Sequence, residues 1–187
     1  MMESATAGTR GTPRSNGTER DPVSASPVAS VPIETPIGLL LVRTSARGVI
    51  AIEFDARPGE PKPCDNDNAR RVLEQATREL HEYFVGTRRE FEVDVDAAGT
   101  PFRRRVWREL RTLDFGATIS YGELARRVGN PNASRAVGAA NGANPIPIIV
   151  PCHRVIGADA TLTGFGGGMW RKEWLLRHEG SLDPLWS

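Results

Sequence analysis

Asn144-Pro145-Ile146-Pro147-Ile148-Ile149-Val150-Pro151-Cys152-His153-Arg154-Val155 is the stretch on which the reading of the chain turns. Prolines at 145, 147 and 151 fix φ and remove backbone donors, so the stretch is neither a helix interior nor a central strand. An apolar run held between prolines reads as a stiff, buried, extended segment that delivers Cys152 to a fixed place. A thiolate is a strong nucleophile, and a neighbouring histidine is a common means of making one. A cysteine after an apolar run is also often a small core residue.

The chain has 187 residues, enough for one domain or two small ones, and its 39% apolar content can supply a core. The formal net charge is +1, but it is unevenly spread: residues 1–99 hold an excess of four acids and residues 100–187 an excess of five bases. The basic half carries the Cys-His stretch, which points to an anionic partner. Two cysteines, Cys64 and Cys152, do not make a disulfide framework. No apolar run reaches membrane-spanning length and the first residues lack a hydrophobic signal core, so no membrane partner is expected. A reactive thiol fits a reducing, cytoplasmic location.

Residues 1–30 are polar and poor in large apolar side chains, and are expected to form a disordered tail. A unit over 31–97 follows. Strand patterns at 31–34, 38–43 and 48–54 predict a small antiparallel meander. A Pro-rich loop covers 57–67. A helix over 68–84 places Val72, Ala76, Leu80 and Phe84 on one face, with Asp67 or Asn68 as cap and Gly86 as stop. Alternation at Phe91, Val93 and Val95 predicts one more strand.

The second unit spans 98–187. Thr100-Pro101 opens a helix to about Leu113, burying Phe102, Val106, Leu110 and Leu113, with Arg103, Arg104, Arg105, Arg108 and Arg111 as candidate phosphate contacts. Ser120 and Glu123 match a capping box for a helix over 121–128. After the turn Gly129-Asn130-Pro131, a second short helix covers 134–141. The pair has a helix-turn-helix pattern, with Arg135 near the start of the second helix. The small Ala136, Gly138, Ala139 and Gly142 would let that helix approach a partner backbone closely. The glycines of 164–168 imply positive φ or close approach to a ligand. A last helix over 169–178, with Trp170, Trp174 and Leu175 as anchors, stops at Gly180. Glu179 sits at its end, where the helix dipole disfavours an acid unless a cation holds it.

Pro151-Cys152-His153-Arg154-Val155 resembles the signature of the O6-alkylguanine-DNA alkyltransferases, the methylated-DNA–protein-cysteine methyltransferases. The similarity extends over most of 100–180, through Ser120-Tyr121-Gly122-Glu123, Gly129-Asn130-Pro131, Arg135-Ala136-Val137-Gly138, Asn144-Pro145, Leu162-Thr163-Gly164-Phe165 and His178-Glu179-Gly180. The first half is similar more loosely, through Thr35-Pro36-Ile37-Gly38 and 48–52. The resemblance implies an α+β fold: a ribonuclease H-like N-terminal sheet with a helix, then a mostly helical domain with a helix-turn-helix. It implies stoichiometric transfer of an alkyl group from O6 of guanine in double-stranded DNA to Cys152 after base flipping, with O4 of thymine left open as a second substrate. By the same resemblance the second helix lies in the minor groove, contacting DNA through Ser134, Arg135, Ala136 and Gly138. Arg135 fills the gap left by the flipped base. Tyr121 presses on the adjacent phosphate and donates to the leaving guanine. Val155, Phe165, Gly166 and Gly167 line the base pocket. His153 takes the thiol proton through a water, Glu179 orients it, and Asn144 shapes the site, the logic of a triad. No cofactor or metal is implied, and the protein is expected to act as a monomer, with cooperative binding on DNA left open. Asp114 stands where many members have proline, and Phe165 where some have tyrosine.

Three other functions remain open from the sequence. A non-enzymatic lesion sensor is disfavoured by the presence of Cys152. A helix-turn-helix regulator would need more base-reading side chains than Arg135. A Cys-His hydrolase would need an oxyanion hole.

Overall fold

A computed structural model describes residues 29–56 and 65–182. Most of the expected tail, the proline-rich part of the loop at 57–64 and Cys64 lie outside the described residues. The fold is α+β. Strands β1 (Ala29–Thr35), β2 (Gly38–Thr44) and β3 (Val49–Phe54) form an antiparallel meander in the order β1-β2-β3. β1 starts two residues earlier than expected: Ala29 and Ser30, assigned to the tail, pair with Thr44 and Arg43. Leu40, Val42 and Ile52 turn inward against helix α1 (Asp67–Phe84).

α1 is capped one residue earlier than its sequence suggests. The Asn66 side chain accepts from the Ala69 N–H, as a short polar side chain does at a cap. Its inner face is Ala69, Ala76, Leu80 and Tyr83, with Val72 and Phe84 only half-buried. The strand expected around 91–95 is absent. Val95 makes one isolated bridge to Val49, and the Glu79 carboxylate takes the N–H groups of Glu92 and Val93 at 3.0 and 3.1 Å. A buried side chain thus satisfies donors that a neighbouring strand would otherwise have to meet.

Helix α2 (Pro101–Leu110) begins where Thr100 accepts from the Arg103 N–H, and it ends before Leu113, which is buried in the turn that follows. Trp107, which the sequence reading passed over, is the anchor: it is buried and donates its indole N–H to the Ala140 carbonyl at 2.8 Å. Strand β4 (Ile119–Ser120) leads into α3 (Tyr121–Arg127), capped by Ser120 accepting from the Glu123 N–H. The Glu123 carboxylate itself pairs with Arg126 and Arg127. α4 (Ser134–Gly142) follows and packs on both α2 and α3.

The proline-rich stretch is buried but not extended. Val150 N–H reaches back to Ile146 O, Ile148 has φ +76°, and Pro147 bridges to Val150, so the run folds into a tight turn. Asn144 holds that turn: its Oδ1 accepts from Ile146 N–H and its Nδ2 donates to Val150 O at 2.8 Å. A short 3₁₀ turn carries Cys152–Arg154, strand β5 (Val155–Ile156) pairs parallel to β4, and α5 (Met169–His178) closes the fold. Leu175 and Leu176 anchor α5, whereas Trp170 is 53% exposed and Trp174 only half-buried.

One apolar core runs through both halves, from Ile37, Leu40 and Leu80 to Leu124, Val137, Ile148 and Leu175. The Ile52 N–H on β3 donates to Pro145 O. The first sheet is thereby fixed against the turn that leads to Cys152.

Candidate active site

Cys152 opens the 3₁₀ turn and is 6% exposed. It faces a cleft of about 310 Å³. One wall is the end of β3, Ala51 to Phe54; the others are Asn144, Pro145 and Pro147 and the loop Gly164 to Gly167. Phe165 meets Phe54 edge-on, with ring centroids 5.7 Å apart. Glycine at 167 lets the loop approach closely: a Cβ there would come within 2.6 Å of the Phe54 ring, which would have to shift. Asn144, Phe165, Gly166 and Gly167 thus line one cleft with the thiol. Val155 does not line the cleft: it is fully buried below, its carbonyl taken by the Lys172 ammonium at 2.6 Å.

Burial pushes the Cys152 thiol up to about 11, with Asn144 and the Lys172 charge pulling the other way. A thiol in this state needs a base. His153 is fully buried, and its Nε2 lies 2.9 Å from Glu179 Oε1. Its Nδ1 is buried without a hydrogen-bond partner among the described residues, which leaves that nitrogen to exchange a proton. Burial lowers the His153 pKa, opposed by the hydrogen bond and charge of Glu179, so the ring is neutral at pH 7 and able to accept.

Glu179 sits at the C-terminal end of α5 because cations and donors hold it there. Arg154 donates through Nε to Oε2 at 2.8 Å and through Nη2 to Oε1 at 2.9 Å. Gly116 N–H donates to Oε2 and the Tyr83 hydroxyl to Oε1. Burial alone would raise this carboxyl's pKa, but His153 and Arg154 outweigh it and hold the group well below the usual carboxylate range. Gly116 has φ +80°, and a Cβ there would meet the Glu179 carbonyl at 2.8 Å.

The sequence reading missed four residues of this site. Arg154 stands inside the signature motif and Lys172 near the start of the last helix, and the sequence assigns neither a role; both are buried. Lys172 bridges the Val155 and Thr163 carbonyls, and burial lowers its pKa to about 8. Asn141, on α4, donates to the Cys152 carbonyl at 3.2 Å. Tyr83 comes from α1 in the first half, and nothing local in the sequence marks it.

Of the helix-turn-helix residues, Gly142 lines the cleft with Cys152, whereas Tyr121, Ser134, Arg135, Ala136 and Gly138 do not. On α4, Arg135, Ala136, Ala139 and Gly142 are exposed and Ser134 and Gly138 half-buried. Tyr121 begins α3 beside Gly138, with its hydroxyl 3.2 Å from Thr163 Oγ1. Among the described residues no helix is long and apolar enough to cross a membrane.

Family comparisons agree over both halves. Residues 32–97 match the family described as 6-O-methylguanine DNA methyltransferase, ribonuclease-like domain, and residues 101–181 the corresponding DNA binding domain. The chain is 44% identical over 152 residues to a methylated-DNA–protein-cysteine methyltransferase of Mycolicibacterium paratuberculosis, covering 81% of this chain and 92% of that one. A protein of the same name from Shigella flexneri is 57% identical over 104 residues, 55% of this chain and 61% of the relative. Among solved structures, Mycobacterium tuberculosis OGT in complex with DNA superposes with a TM-score of 0.71 at 44% identity, covering 80% of this chain and 91% of that one.

Proposed function

The chain belongs to the methylated-DNA–protein-cysteine methyltransferase family, and on that premise we propose that it repairs DNA by moving an alkyl group from O6 of guanine onto Cys152. The observation that carries this is the buried Cys152 at the floor of a cleft, next in the chain to the His153–Glu179 pair.

The chemistry follows from the geometry. His153 takes the Cys152 proton through a water, since adjacent side chains rarely face each other. Glu179 stabilises the imidazolium that forms. The thiolate attacks the alkyl carbon in line: an S–C bond forms, the C–O6 bond breaks, and its electron pair stays on the guanine. The departing base needs a proton or a hydrogen bond. With Thr163 donating to Tyr121, the phenol proton is left for that use. The thioether has no hydrolytic route back, so one protein repairs one lesion. One displacement moves the group without redox change, and every role falls to the chain's own side chains.

Reaching O6 in a duplex requires base flipping. In this reading α3 and α4 act as a helix-turn-helix. The exposed small residues of α4 enter the minor groove and Arg135 occupies the space of the flipped nucleotide. The protein binds as a monomer, the base entering between β3 and the 164–167 loop. Residues 31–97 supply the cleft wall and 98–187 the DNA surface and nucleophile. A thiol that must stay reduced fits the cytoplasm. Cys152→Ala is expected to abolish transfer while keeping binding to a duplex with O6-methylguanine, read by product analysis beside gel retardation. Loss of both together would count against Cys152 as the dedicated nucleophile.

A further inference from the structure

We propose that Tyr83, contributed by the first helix, is a positioning residue for the transfer: its hydroxyl donates to the Glu179 oxygen that also holds His153, and so sets how strongly the carboxylate draws on the base. The inference rests on the alkyl-transfer reading for its consequence, but its core is a coupling that can be read without DNA.

Three donors converge on Glu179 Oε1: His153 Nε2 at 2.9 Å, Arg154 Nη2 at 2.9 Å and the Tyr83 hydroxyl at 2.8 Å. Tyr83 is fully buried, and its residue is 96 positions from Glu179 in the chain. Its ring is fixed from both halves of the molecule. Phe84 and Phe91 pack on it at 5.3 and 5.4 Å between centroids, His178 at 5.0 Å and Phe115 at 6.1 Å. The His178 ring in turn bonds the Tyr83 carbonyl at 2.7 Å. A side chain held this firmly presents its hydroxyl at one angle only.

An acceptor that already receives a hydrogen bond is a weaker acceptor for the next donor. Tyr83 therefore tempers the pull of Glu179 on His153. Among the described residues, the other charged or titratable groups bearing on this pair are Arg154, the Lys172 ammonium on α5 and Cys152 itself. None of them is supplied by the first half. Tyr83 is thus the means by which the ribonuclease-like half reaches the base, beyond forming a wall of the cleft.

The test is the titration of the His153 ring, followed by its ¹⁵N shifts in the intact protein, together with the pH dependence of single-turnover transfer from a duplex containing O6-methylguanine. Tyr83→Phe keeps the ring and removes the donor. It is expected to make His153 more basic, moving its titration and the acid limb of the rate profile up by at least about half a unit. A 3-fluorotyrosine placed at position 83 alone is a stronger donor and is expected to move both the other way. Phe84→Leu disturbs the same aromatic cluster without touching the bond and is expected to leave both midpoints in place. An unmoved His153 titration in Tyr83→Phe and the fluorinated protein, or an equal shift in Phe84→Leu, would overturn the proposal. If the wild type transferred no alkyl group, the functional reading would fail while the ring titration still decided the coupling.

Discussion

Cys152 and His153 carry opposite shifts with one cause. Burial penalises the charged form of each, so the thiol rises to about 11 and the imidazole falls below its ordinary 6.5. Alone, such a thiol would be ionised in about one molecule in ten thousand at pH 7. In the proposed mechanism His153 takes the proton, and the attraction between the thiolate and the imidazolium formed beside it, which neither separate value includes, has to favour that pair over the free thiolate. His153 must be neutral to accept, so the rate falls as pH drops through its lowered pKa; Cys152 ionises unaided only near 11. Between those limits the fraction of thiolate–imidazolium pair does not depend on pH. The single-turnover rate is therefore expected to be flat from about pH 7 to 9. His153→Ala is expected to be slow at pH 7 and to gain about tenfold per pH unit towards 11. A wild-type rate that climbed tenfold per unit would remove the histidine from the mechanism.

Among the elements, α4 leaves most of one face open. It buries only Val137, Ala140 and Asn141, and its exposed residues are small apart from Arg135. Arg135→Ala is expected to slow repair in duplex DNA by at least about tenfold, while leaving reaction with a free O6-alkylguanine base almost unchanged, because only the duplex requires a flipped nucleotide. Equal slowing on both substrates would remove that role. Elements announced by local chemistry were legible in the sequence: Thr100 and Ser120 cap as read, and Gly180, at φ +73°, follows α5. Elements decided by distant partners were not. The 91–95 strand fails because Glu79, on α1, takes its donors. The 146–150 run coils because Asn144 closes it, and period alone could not tell Trp107, which is buried, from Trp170, which is not.

Across the whole molecule, the two halves meet at the site. Cys152, His153, Glu179, Asn144 and the 164–167 loop could be named from a motif. The parts of the first half that complete the site could not, since nothing local in β3 or α1 marks them. Arg171 shows how the halves are tied. Buried on α5, it donates to the Ile37 carbonyl at 2.8 Å, to the Gly167 carbonyl of the cleft loop at 2.7 Å, and to Asp55, and it stacks on Phe54. Arg171→Leu leaves two carbonyls without this donor. It is expected to cost about 2–4 kcal/mol in denaturant unfolding, whereas Asp55→Asn, at an exposed position, is expected to change the midpoint little. A small effect of Arg171→Leu would mean that the halves hold together without it. The most direct measurement is of stoichiometry. The protein is incubated with excess duplex carrying a single O6-methylguanine and analysed by intact and peptide mass spectrometry. The account predicts one added methyl group, on the Cys152 peptide, reaching one per protein and no further. An unmodified Cys152 with the lesion intact, or more than one guanine restored per protein, would contradict it.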